Sequence, residues 1–122
     1  MILPEDFYKL AKKLFSDPNA GEEHYRTAIS RAYYAVYHAW SKFAQSKDEK
    51  IVELISKHRW IHHGELRDWI KEHYGELGKD IESLLDYRIK ADYHIETNIT
   101  PDEADVALKS AAKLLDYLKG VS

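Results

Sequence analysis

The chain has no cysteine, one methionine, three prolines and five glycines in 122 residues. Without cysteine there is no disulfide framework, no thiol nucleophile and no thiolate ligand for a metal. Long apolar runs are also missing. The most apolar window, AYYAVYHAW, is too short to cross a bilayer and carries His38. The N-terminal stretch has acids at Glu5 and Asp6 and no continuous apolar centre, so it does not read as a signal peptide. An excess of positive charge is the third absence. Eighteen Lys and Arg face 21 Asp and Glu, for a formal charge of −3. That balance argues against a broad basic surface for long duplex DNA, where counterion release supplies much of the affinity. It leaves room for a small pocket that holds one RNA strand or a nucleotide. The length fits one domain over residues 1–122 with a core of its own. The expectation is a cytoplasmic protein that makes no membrane contact.

Helical periodicity is abundant, and no segment shows sustained strand alternation. The first helix is expected over Glu5–Phe15, with Phe7, Leu10, Ala11 and Leu14 on one face, and Ser16-Asp17-Pro18-Asn19 breaks it. A long second helix from Glu22 to Gln45 carries a heavy aromatic stripe that includes Tyr33, Val36, Tyr37, Trp40 and Phe43. Thr27, Arg31, Tyr34 and His38 occupy another side at helical spacing, and Ala28, Ala32, Ala35 and Ala39 would admit a close neighbour. A short piece around Ile51–Ile55 follows, then a helix buried through Leu66, Trp69, Ile70 and Tyr74. Gly75 and Gly78 bracket a turn before a helix over Lys79–Tyr93. Thr100-Pro101-Asp102-Glu103 has the form of a capping box with proline at the first helical position, and Lys119-Gly120 ends the last helix. The sum is an all-α, up-and-down four-helix bundle with one or two extra short helices.

The segment Leu84–His94, LLDYRIKADYH, holds the residues with chemistry. Arg88 lies among apolar neighbours and admits two readings. One is an i,i+4 ion pair with Asp92, worth a few tenths of a kcal/mol if exposed. The other pairs Arg88 with His94, a fixed-charge fork suited to phosphate beside a side chain that moves protons near neutrality. Ribonucleases that work without a metal need those two services. Within one helix the six-residue spacing sets the two side chains roughly 120° apart and about 9 Å along the axis. They converge if the helix frays near His94 or if two copies of the segment meet across a two-fold axis. Arg31, Tyr34 and His38 are candidates to line the same cleft or a nucleotide pocket, against the alternative of an ordinary packing face. His58 and His62 stand at i,i+4, but no third ligand sits at an obvious spacing, so no metal and no other cofactor is expected.

Several stretches resemble the HEPN family of small helical domains. Arg88 and His94 fit its arginine, four to six residues, histidine pattern. Ser30-Arg31-Ala32-Tyr33-Tyr34-Ala35 resembles the S-R-x-Y-Y-A signature of one subgroup, His62-His63-Gly64 its H-x-G step, and Arg88-Ile89-Lys90-Ala91-Asp92-Tyr93 its R-x-x-A-D-Y. The resemblance implies a helical bundle. In catalytic members it implies a metal-independent endoribonuclease site formed by Arg88 and His94 at a homodimer interface, with RNA as substrate. It also implies a toxin-like role restrained by a nucleotidyltransferase-like antitoxin. His62 and Asp92 become substrate-binding candidates through these motifs. Ile89 stands where active members commonly carry a polar residue. Glu96 stands where some carry the tyrosine that receives AMP. The same resemblance therefore also admits a non-catalytic module that binds a nucleotide or docks a nucleotidyltransferase-like partner.

Overall fold

The computed structural model describes residues 1–121, and the apolar periodicities resolve there into six α-helices. They are α1 Pro4–Ser16, α2 Glu22–Lys47, α3 Glu49–His58, α4 His63–His73, α5 Gly78–Tyr93 and α6 Pro101–Val121, with one 3-10 turn at Gly75–Leu77. No strand occurs among the described residues. The architecture is the expected all-helical bundle: α1, α2, α5 and α6 are long, and α3 and α4 are the shorter additions. None of the helices among the described residues is long and apolar enough to cross a membrane.

Local chemistry sets the boundaries. The capping box at the start of α6 forms in both directions, with Glu103 N–H donating to Thr100 Oγ1 at 3.1 Å and Thr100 N–H donating to Glu103 Oε1 at 3.0 Å. Asp48 ends α2 and starts α3. Its carboxylate accepts from Lys50 N–H at 2.9 Å and from the Trp69 indole at 2.9 Å, which ties the new helix to α4. This cap makes α3 longer than the apolar piece Ile51–Ile55 suggests. Arg59 closes α3 in the left-handed region at φ 68°, with its N–H on Ile55 O at 2.7 Å.

Helix α2 is the centre of the bundle and packs against α1, α5 and α6. Its two occupied faces explain this. Ile29, Tyr33, Val36 and Trp40 are buried on it, and Ala28, Ala32 and Ala35 are fully buried small positions that let neighbours approach. Trp40 is wholly enclosed and its indole N–H donates to Leu114 O of α6 at 3.0 Å. Truncation of a tryptophan so placed costs about 3–5 kcal/mol. On α5, Ile81, Leu84 and Leu85 face the same core, and α6 adds Ala104, Ala107, Leu108, Ala111 and Leu114. The buried positions from Ala28 to Ala44 pin the middle of α2 by apolar contact, which sets Ser30 against α5 and Arg31, Tyr34 and His38 beside Phe7 of α1.

Candidate functional site

The two motif segments, 58 residues apart in sequence, meet where the middle of α2 crosses the last turns of α5. Arg88 is 9% exposed. Its Nε lies 3.0 Å from Asp92 Oδ2, an ion pair in which the N–H is not aligned as a hydrogen bond, so this buried nitrogen keeps its donor capacity. The guanidinium sits between two phenol rings, 5.5 Å from the centroid of Tyr33 and 5.2 Å from that of Tyr93. Cation–π contacts of this kind contribute about 0.5–2 kcal/mol each. They offset part of the several kcal/mol that desolvating a permanent cation costs. Asp92 in turn accepts from Ser30 Oγ at 3.3 Å, and Ser30 Oγ accepts from Arg31 at 3.4 Å.

Arg31 joins this centre to a second group. Its Cζ lies 4.6 Å from the Tyr34 centroid and 5.8 Å from that of Phe7, and its Nε is buried without a hydrogen-bond partner. The Tyr34 and His38 rings stack at 5.9 Å, and Phe7 stacks on His38 at 5.9 Å. Arg88, Asp92, Arg31, Tyr34 and His38 thus form one connected surface along α2 and α5. His62 stands apart. It is exposed and precedes α4, its carbonyl accepting from Leu66 N–H at 3.0 Å.

The neighbouring His63 reaches the centre. Its Nδ1 is 2.6 Å from the Tyr33 hydroxyl. Burial holds the Tyr33 phenol well above its ordinary pKa, outweighing the opposite pull of Arg88, so it remains a donor. With Tyr33 donating, the proton of the neutral imidazole lies on Nε2. Burial first, then the charges of Arg88 and His62, hold His63 below its ordinary pKa, so the ring is neutral at pH 7.

His94 follows the last residue of α5 and has left helical geometry, at φ −115° and ψ 66°. The helix does end there, yet no hydrogen bond, ion pair or ring contact joins His94 to Arg88 within the described residues. The His94 side chain is half exposed, and its Nδ1 lies 3.1 Å from Glu96 Oε1. Glu96 is held below the usual carboxylate range by its own backbone N–H and by His94. A carboxylate on Nδ1 leaves Nε2 as the nitrogen available for proton transfer.

Arg26 holds this turn in place. Its guanidinium donates to Lys90 O at 3.2 Å, Ala91 O at 2.9 Å and His94 O at 3.3 Å, and also to Thr97 O, while Nε pairs with Glu22 at 2.8 Å. It supplies a cation and donors to the carbonyl end of α5. Sequence reasoning passed over Arg26, His63, Tyr33 and Glu96 as site residues. Arg26 carried only the signal of an i,i+4 pair with Glu22. His63 was masked by its twin His62, because which histidine faces inward depends on where α4 begins. Among the described residues, no three His, Asp or Glu side chains gather to hold a metal ion.

The HEPN domain family matches this chain over residues 5–121, and the chain belongs to that family. Membership ties it to nucleotide- and RNA-related function in general. No curated protein and no solved structure matches it.

Proposed function

We propose that the protein is a HEPN-type RNA-cleaving or RNA-binding protein, toxin-like and working as a homodimer, in which Arg88 and His94 of facing subunits form a metal-independent endoribonuclease site. The observation that carries this reading is Arg88 itself. It is a nearly buried permanent cation with an unaligned Nε–H, held beside partly exposed Asp92 and Tyr93. Keeping such a charge in the bundle costs stability, and a phosphate group is the partner its fork suits. His94 stands at the same end of α5 with Nε2 free. In the proposed step, His94 removes the proton of a 2′-hydroxyl. The resulting oxygen attacks the adjacent phosphorus, and the bond to the 5′-oxygen breaks as that oxygen takes a proton from water, giving a 2′,3′-cyclic phosphate and a 5′-hydroxyl. Arg88 stabilises the charge that builds on the phosphoryl oxygens. Asp92 and Ser30 orient the guanidinium, and Arg31, Tyr34 and His38 extend the RNA-facing surface.

Two exposed apolar residues, Ile89 and Tyr93, flank Arg88 one helical turn apart, with exposed Ile95 just beyond. This patch is the natural place for a two-fold contact. Ile89 also supports a second reading, in which the domain is a non-catalytic module that binds a nucleotide or docks a nucleotidyltransferase-like antitoxin. RNA cleavage in EDTA by the wild type, Arg88→Ala and His94→Ala separates the two. The first reading predicts a loss of about 10²–10³-fold in each variant. Equal rates in all three, or no cleavage with binding retained, would leave the second.

A further inference from the structure

One turn beyond His38, α2 and the α3–α4 connection enclose a pocket of about 220 Å³. We infer that this pocket is a subsite for one nucleotide of a single-stranded RNA, with the base stacked on Trp60 and the phosphate held by Lys42 and Arg59. The inference rests on the RNA reading above and extends its surface away from Arg88.

Four observations support it. Trp60 is 58% exposed, while the other two tryptophans, Trp40 and Trp69, are 0% and 7% exposed. No ring, cation or hydrogen-bond partner meets the Trp60 indole among the described residues, so a large flat apolar surface is left facing solvent. Arg59 adopts φ 68°, the only positive φ at a non-glycine residue among those described. Glycine would take that conformation without strain, yet the position carries an arginine, and that arginine lines the pocket. The lining contains Lys42, Arg59 and His38 and no carboxylate, in a chain whose net charge is −3. Two other surface pockets mix carboxylates with cations, one lined by Asp48, Glu65, Asp68 and Glu72 with Lys50 and His73 and one by Glu82 and Asp86 with Lys79, and a third, lined by Lys9, Lys12 and Lys13, is cationic but has no aromatic ring. Lastly, a chain of packed side chains links the pocket to the Arg88 centre. Tyr37 lines it, donates to Ile61 O at 2.6 Å, and has its ring 4.7 Å from His63, which bonds Tyr33 beneath Arg88. Exposed aromatic rings among cations are how single strands are bound without regard to sequence. Beside Trp60 the lining combines the apolar Ile55 and Ile61 with the cations Lys42 and Arg59, a pairing of flat apolar surface and positive charge that suits a base with its phosphate; a protein partner is left as an outcome of the test.

The test uses a non-cleavable 2′-O-methyl RNA six-mer with the full chain. Because Trp40 and Trp69 are buried, quenching of tryptophan emission reports on Trp60. The six-mer and a nucleoside monophosphate should quench it saturably, and ribose 5-phosphate should not. Six-mer affinity, read by anisotropy, should fall at least five- to tenfold in Trp60→Ala, less in Trp60→Phe, and severalfold in Lys42→Ala. Arg59→Gly should bind severalfold more weakly while its Tm stays at or above that of the wild type, which separates loss of contact from loss of fold. Arg88→Ala should keep the mononucleotide quench. Equal six-mer affinity in Trp60→Ala and wild type would overturn the subsite and leave the RNA reading standing. A mononucleotide quench without six-mer binding would overturn the RNA reading and, with it, the RNA subsite. A change of sedimenting mass in Trp60→Ala with unchanged RNA affinity would assign the indole to a protein interface and also overturn the inference.

Discussion

Arg88 was visible in the sequence as a charge among apolar neighbours, and of its two readings the ion pair with Asp92 has a counterpart in the structure. The i,i+4 pair with Asp92 exists, but at 9% exposure it is no ordinary surface pair. The two rings around the guanidinium could not be read from spacing, because Tyr33 comes from another helix. Arg88→Lys keeps the charge and loses the fork, so it should retain the fold, by circular dichroism, and lose most RNA cleavage. His63 makes a prediction about pH. Its folded pKa lies below its unfolded value near 6.5. As pH falls through that value the unfolded chain takes up a proton that the folded chain resists, so stability is fully present above it and declines towards acid. Urea unfolding midpoints should therefore drop between pH 7.5 and 5, and His63→Gln should flatten that slope. Tyr33→Phe removes the hydroxyl that faces His63 while keeping the ring, and should cost about 1 kcal/mol in the same assay.

Helices were the most legible level. Periodicity and capping chemistry gave the long elements to within a few residues, because each is amphipathic and bounded by strong signals such as Thr100-Pro101. Less legible was whatever depends on one helix end meeting another helix. Arg26 is the clearest case: its side chain, 13% exposed, donates to four carbonyls of the α5 terminus and the turn after it. Nothing local to Glu22–Ser30 announces that α5 ends above it. Arg26→Met keeps the apolar stem and removes the donors, and should cost about 2–3 kcal/mol. Amide exchange should quicken from Lys90 to Thr97 and stay unchanged in α6. At the end of α3, Arg59→Gly should stabilise the fold by about 0.5–1 kcal/mol, since a side chain in the left-handed region is strained.

At the scale of the whole molecule, the proposed site needs two copies of the chain. In one chain Arg88 lies against Tyr93, while His94 pairs with Glu96, and no contact joins the two among the described residues. The sequence indicated this separation through helix geometry alone. It could not show which surface would bring the copies together, because that depends on how far the side chains at the end of α5 protrude. Ile89, Tyr93 and Ile95 are all exposed, and in the proposed dimer they would supply the contact that aligns the two cleft halves. The direct measurement is sedimentation equilibrium of the wild type and Ile89→Glu, with RNA cleavage in EDTA read on the same samples. The account predicts twice the 14.3 kDa chain mass for the wild type, the single-chain mass for a folded Ile89→Glu, and cleavage only by the former. A monomeric wild type that cleaves RNA, or an Ile89→Glu monomer as active as the wild type, would contradict it.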